Sequence, residues 1–269
     1  MITRRIRLVA LDLDGTLVGA DLTIRPRVRD AVSRARERGT EFTVVTGRMF
    51  AAARAYAAEL GITGPIVCYQ GAAIFDMSGG TILRQTPVRQ DVTRQTLDWA
   101  DANGVHAQCY AGDTLYVQQI NRFSKRYTDL ARVEPTVVPS LRTAFDEQPS
   151  IKVVLVDDAD RSAAHLTALQ GLLGDRAYIT RSHVDFVEIL DPNVNKGEAL
   201  DWIAQRYGAT LAETLAIGDA WNDVPMIDAA GIGVAMGSGP PELLSRADAV
   251  VGDVAHDGVA EAIERFVLT

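Results

Sequence analysis

Short apolar runs alternate with helical patterns through the first third of the chain. Arg5–Leu11 is a strand candidate. Pro26–Arg38 follows, with Val28, Ala31, Val32 and Ala35 at helical spacing and Gly39 as the stop. Phe42–Thr46 is apolar and β-branched, Ala51–Leu60 is alanine-rich and ends at Gly61, and Pro65–Tyr69 is the third strand candidate. This βαβαβ order predicts a parallel sheet with helices on both faces. The last third repeats the style. Helices are expected at Lys196–Tyr207, Val224–Ala230, Pro240–Arg246 and Val259–Phe266, and strands at Thr214–Ile217, Gly233–Met236 and Ala249–Val251.

The middle reads differently. Thr114–Gln119, Lys152–Asp157, and Tyr178–Thr180 with Phe186–Leu190 are longer alternating segments, separated by helical stretches near Asp91–Ala102 and Arg161–Leu172. Alternation predicts an antiparallel sheet with one wet face. The expected organisation is therefore a parallel α/β core, residues 1–83 and 192–269, split by an α+β insertion at residues 84–191.

Composition narrows the class. The chain has 269 residues, 47% hydrophobic and 23% charged, which excludes a disordered tail-like protein. A net charge of −8 lacks the basic footprint of a nucleic-acid binder. No stretch approaches 18 apolar residues, and the apolar run near the start is broken at once by Asp12 and Asp14. The expectation is a cytoplasmic protein, monomer or homodimer, with no membrane and no nucleic-acid partner. Two cysteines make no disulfide framework, and Cys68 sits in an apolar run as a core residue. Of the four histidines no pair has zinc-ligand spacing, and His165, on a helix, is expected to be solvated. Three of the 27 basic residues are lysines, Lys125, Lys152 and Lys196, so the setting of each is informative.

The strongest chemical signal is Asp12-Leu13-Asp14-Gly15-Thr16, directly after the first strand. Ligands gather beyond the carboxyl ends of strands in open α/β sheets. Two carboxylates one residue apart repel unless a hard cation such as Mg²⁺ relieves them. Asp12 is placed to attack phosphorus and form an aspartyl-phosphate, and Asp14 to protonate the leaving oxygen and then deprotonate water. Gly15 permits a sharp turn, so backbone N–H groups from Leu13 onward can face an anion.

Other strand ends supply partners. Thr46-Gly47-Arg48 follows the second strand, where a hydroxyl and a glycine N–H can hold a phosphoryl oxygen; Arg48 stands open as a substrate contact or a salt bridge. Lys196 opens a helix, where the dipole disfavours a cation unless an anion is present. Gly218-Asp219-Ala220-Trp221-Asn222-Asp223 follows a later strand. Asp219 is placed to coordinate Mg²⁺, with Asp223 and Asn222 orienting its surroundings. Trp221 either lines the entrance or packs at the sheet edge, the second being favoured. Together these pieces supply the inventory of metal-assisted phosphoryl transfer.

LVALDLDGTL (Leu8–Leu17), TGR (Thr46–Arg48), NKGEAL (Asn195–Leu200), GDAWND (Gly218–Asp223) and DGVAEAI (Asp257–Ile263) stand in an order and spacing that resemble the haloacid-dehalogenase-like hydrolases, in the Cof-type branch of sugar-phosphate phosphatases. The resemblance implies a Rossmann-like parallel sheet core with an inserted α+β cap. It implies Asp12 as nucleophile and Asp14 as acid/base, with Thr46 and Lys196 binding the phosphoryl group; the residues themselves add Gly47, Asn222 and the backbone at Leu13 to the phosphate-binding candidates. It implies Mg²⁺ held by Asp12, Asp219 and the backbone carbonyl of Asp14, to which the reading of the GDAWND loop adds Asp223, through water. The substrate would be a small phosphorylated metabolite, such as a sugar phosphate. Two departures stand out: Gln70-Gly71-Ala72 where the family often has Asn-Gly-Ala, and Asp253-Val254-Ala255-His256 where it tends to carry an Asn.

Cap candidates for substrate contact are Arg181, Ser182, His183, Asp185 and Glu188, on the return path to Lys196; Asn121, Arg122 and Lys125 form a second polar cluster. Three alternatives remain open on sequence: a phosphomutase on hexose phosphates, a phosphatase for pyridoxal phosphate or flavin mononucleotide, and a non-catalytic phosphate-ligand binding protein.

Overall fold

The structure, a computed structural model, describes residues 5–269; the side chains at 130, 131 and 182 lie outside that description. The first segment runs β1 (Leu8–Leu11), α1 (Pro26–Glu37), β2 (Glu41–Val44), α2 (Phe50–Glu59), β3 (Ile66–Cys68), β4 (Ala73–Phe75) and β5 (Ile82–Gln85). The middle holds α3 (Gln90–Asn103), β6 (His106–Ala111), β7 (Thr114–Val117), α4 (Arg122–Ala131), β8 (Thr136–Val137) and α5 (Leu141–Ala144), then β9 (Lys152–Val156), α6 (Ala159–Leu173), β10 (Tyr178–His183) and β11 (Phe186–Leu190). The last segment is α7 (Lys196–Arg206), β12 (Thr214–Gly218), α8 (Val224–Ala229), β13 (Ile232–Met236), α9 (Pro241–Arg246), β14 (Ala249–Val251) and α10 (Gly258–Phe266).

The core sheet has the order β14-β13-β12-β1-β2 and is parallel throughout. Its strands are apolar on both faces because both are covered. Along β1, Val9 and Leu11 join the layer built with the Val28, Ala31, Val32 and Ala35 stripe of α1, while Leu8 and Ala10 face the layer of α7 and α8. Parallel pairing puts the carboxyl ends of β1, β2 and β12 side by side at one edge. Asp12, Thr46 and Asp219 follow from those ends.

The inserted cap carries a second sheet of order β10-β11-β9-β6-β7-β8, antiparallel except for β7 with β8. The expectation of one wet face fails for its central strands, since β9 and β11 are buried at every position. Val153, Leu155, Val187 and Ile189 pack in the cluster that holds Val92 and Leu97 of α3 and Leu169 of α6, whereas Val154, Val156 and Phe186 belong to the cluster continuous with the core. His165 is likewise not solvated: it is buried and bonds Asp157 at 2.7 Å.

The third strand also departs from expectation. β3 joins the core sheet only by a parallel bridge from Val67 to Val45, the residue after β2, and instead heads the small antiparallel sheet β3-β4-β5. The turn between β3 and β4 holds Gln70 in a left-handed conformation, φ 61°, with its side chain buried. None of the described helices is long and apolar enough to cross a membrane.

Candidate active site

Asp12 leaves β1 buried, its N–H donating to the Ile217 carbonyl of β12 at 3.0 Å. The Lys196 ammonium, fully buried on the first turn of α7, donates to Asp12 Oδ1 and to Asp223 Oδ1, both at 2.5 Å. Asn195 caps that helix by accepting from the Glu198 N–H at 2.9 Å. Asp223 is pinned a second time, its Oδ2 accepting from the N–H groups of Asp219 and Ala220 at 2.9 Å. Thr16 donates to Asp219 Oδ1 at 3.2 Å. Gly15 sits at φ 84°, and a Cβ there would lie 2.1 Å from Asp219 Oδ2, so the turn after Asp14 leaves room for nothing larger than glycine.

Carboxylate oxygens of Asp12, Asp219 and Asp223 lie within 4.8 Å of one another. Burial, then Asp223, then Asp219 push Asp12 well above the usual carboxylate range, against the pull of Lys196. Burial and then Asp223 raise Asp219 to about 7. Burial alone would lower Lys196, but Asp12 and Asp223 outweigh it and the ammonium is held charged. Ionising this cluster against one ammonium would leave an excess of negative charge among hard oxygen donors, which a divalent cation would balance. These residues could hold a metal ion.

The loop after β2 closes the other side. Thr46 is buried and its Oγ1 accepts from the Arg48 N–H at 3.1 Å. Arg48 forms a salt bridge with Asp14: its Nε donates to Oδ2 at 2.8 Å while a terminal nitrogen takes Oδ1. The Asp14 carboxylate therefore points to Arg48 and stands apart from the Asp12–Asp219–Asp223 cluster. Asn222 donates to Gln70 Oε1 at 2.9 Å, leaving its own Oδ1 buried without a partner among the described residues.

A pocket of about 100 Å³ lies between core and cap. On that measure a water needs about 10–15 Å³, so the space admits several waters or a phosphoryl group. Asp12, Asp14, Thr46 and Asp219 line its floor, and Tyr127, Lys152, His183, Phe186 and Glu188 its roof. His183 is held through Nδ1 by Asp185, with Arg126 against Nε2 at 3.3 Å and donating to Asp185 at 3.0 Å. Arg181 stays outside the pocket, its guanidinium 5.2 Å over the ring of Trp221. Trp221 is 42% exposed at this seam, so the sheet-edge packing expected for it is not what the structure has. The side chain of Ser182 lies outside the described residues. The second polar cluster is used locally: Asn121 caps α4, and Arg122 pairs with Asp158 at 2.7 Å.

A family model for haloacid dehalogenase-like hydrolases matches residues 9–263. The chain belongs to that family. Among curated relatives of this hydrolase are the pyridoxal phosphate phosphatase YbhA of Escherichia coli, 28% identical over 96% of this chain and 97% of that one, and the 5-amino-6-(5-phospho-D-ribitylamino)uracil phosphatase YitU of Bacillus subtilis, also 28% identical over 96% and 97%. A crystal structure of a haloacid dehalogenase-like hydrolase from Bacteroides thetaiotaomicron superposes with a TM-score of 0.85 at 28% identity, covering 97% of this chain and 99% of the other. Such relatives support the Cof-type branch.

Two buried residues at this site, Lys152 lining the pocket and Gln70 behind it, belong to none of the sequence motifs. Lys152, fully buried in β9, donates to the Gly47 carbonyl at 2.9 Å and lies 3.3 Å from Glu188. Gln70 donates to Glu188 at 2.9 Å. The available signal for Lys152 was the scarcity of lysine together with its position in the apolar run KVVLV. For Gln70 it was the departure from the family's Asn.

Proposed function

We propose that this hydrolase is a Mg²⁺-dependent phosphatase of small phosphorylated metabolites, working through an aspartyl-phosphate. The observation that carries the reading is the meeting of Asp12, Lys196, Asp219 and Asp223 at one sheet edge, beside the pocket between core and cap. Residues 1–83 and 192–269 are the catalytic unit and 84–191 the selecting cap. A cytoplasmic setting fits such substrates.

Asp12 forms the new bond to phosphorus as the bond to the leaving oxygen breaks, and Asp14 hands that oxygen its proton. Water then attacks, Asp14 takes its proton, and phosphate leaves Asp12. Lys196 holds Asp12 in place and stays charged beside the phosphoryl oxygens. The Thr46 hydroxyl already accepts from Arg48, so its proton is free for a phosphoryl oxygen. Arg48 grips Asp14 by two bonds, so proton donation requires Asp14 to turn out of that grip. Mg²⁺, held by Asp12 and Asp219 with Asp223 beside them, would offset the carboxylate charge and draw electron density from the phosphoryl group.

The roof offers a leaving group a polar side, His183 and Glu188, and an aromatic side, Tyr127 and Phe186. That mix suits a sugar phosphate. The relatives named for pyridoxal phosphate and for a ribitylamino-uracil phosphate support a ring-bearing phosphorylated cofactor as the second reading. A panel of sugar phosphates and phosphorylated cofactors with Mg²⁺ separates them by kcat/KM. Asp12→Asn is expected to abolish phosphate release while the circular dichroism stays native; release near the wild-type rate would remove Asp12 as nucleophile.

A further inference from the structure

Three successive carbonyls of the phosphate loop are each held. Thr46 O accepts from the Gln70 N–H at 3.0 Å, and Arg48 O from the Tyr69 N–H at 3.1 Å. Both donors belong to the core. The carbonyl between them, Gly47 O, accepts from Lys152, which belongs to the cap and lies 105 residues away in sequence. A peptide group is planar and trans, so fixing its carbonyl fixes its N–H on the opposite side. The N–H of that peptide is Arg48 N–H, and it donates to Thr46 Oγ1. One planar unit thus links the Lys152 ammonium to the hydroxyl of Thr46.

Lys152 is built for a fixed position. It is sealed between the rings of Tyr110 and Tyr69, 5.2 and 5.9 Å from their centroids, and Glu188 balances its charge. Glu188 also accepts from Gln70, whose Oε1 accepts from Asn222 beside Asp223. The Gln70 amide lies against Gly47 so closely that a Cβ at 47 would stand 2.3 Å from its nitrogen. A continuous buried chain, Gly47–Lys152–Glu188–Gln70–Asn222, therefore joins the phosphate loop to the loop that carries the metal-binding carboxylates.

We propose that Lys152 is a positioning residue for phosphoryl binding, acting through the Gly47–Arg48 peptide on the Thr46 hydroxyl, with Glu188 and Gln70 holding it in register. The cap then does more than cover the pocket: it completes the phosphate cradle. This rests on the phosphatase reading for its chemistry, but phosphate binding tests it without turnover.

Removing Lys152 alone strands a buried Glu188 carboxylate and endangers the fold. The working variant is therefore Lys152→Met with Glu188→Gln, neutral on both sides. Inorganic phosphate is titrated calorimetrically with Mg²⁺ present, and p-nitrophenyl phosphate turnover is followed in parallel. We expect the double variant to bind phosphate about tenfold more weakly and to lose about 10- to 100-fold in kcat, a loss typical of misplacement by about 1 Å. In a Thr46→Ala background the same pair of substitutions should add nothing further, because the residue it acts through is gone. Wild-type binding and kcat in the double variant, or a loss that multiplies with that of Thr46→Ala, would overturn the proposal. A wild type that binds phosphate but never releases it from any phosphoester would overturn the phosphatase reading and leave this one standing.

Discussion

Asp12 and Asp14 are one residue apart, yet the structure gives them opposite surroundings. Asp12 is buried against an ammonium and two further carboxylates. Asp14 stands at the pocket surface, its side chain 42% exposed and its carboxylate gripped by Arg48. That separation suits one fixed nucleophile and one mobile proton carrier. It depends on the turn at Gly15, where the backbone is left-handed and Asp219 occupies the space a side chain would need. Gly15→Ala is expected to push the Asp219 carboxylate aside. Mg²⁺ titration followed by calorimetry should show at least about a tenfold loss of affinity, equivalent to about 1.4 kcal/mol. Unchanged affinity would mean that the Asp219 position is not critical.

The helix after the phosphate loop shows how one element borrows from another. α2 has Met49 at its N-cap position, and that residue makes no side-chain cap bond. Asp113, in the turn between β6 and β7 of the cap, accepts from the Ala51 N–H at 2.8 Å instead. Asp113→Ala should cost about 1 kcal/mol, as losses of capping carboxylates do, which at this chain length is a Tm shift of about 2–4 °C. A thermal melt with no shift would show that the bond contributes nothing. Such elements also mark what sequence could reveal. Parallel strands bring their carboxyl ends to one edge, so short motifs after β1, β2 and β12 could be assembled without coordinates. Contacts across the seam could not. Lys152 meets Gly47 and Gln70 meets Glu188 over separations of 105 and 118 residues, set by how two sheets dock and carrying no local period. The left-handed Gln70 was hidden for a related reason: its turn opens an antiparallel hairpin where a further parallel strand was expected.

At the scale of the molecule, the buried carboxylate cluster ties stability to pH and metal together. In the folded, metal-free protein Asp219 holds its proton up to about 7. In the unfolded chain it would release it near 4. The folded state thus binds more protons in that window, and this cluster's contribution to stability falls as pH rises through it. Metal requires the ionised carboxylates, so its stabilising effect should grow over the same range. The Tm difference between Mg²⁺ and EDTA should widen from pH 5 to pH 8. A difference that stays flat would mean the cluster does not titrate there or does not bind the ion.

The Arg181 guanidinium over the Trp221 ring has one more consequence. An indole stands half in solvent on the carboxylate-bearing loop, with a cation from the opposite half of the molecule stacked on it. Separating the two halves would strip that cation away and wet the ring. Were the two to part, Trp221 emission would report it without any attached dye, once Trp99 and Trp202 are replaced by phenylalanine.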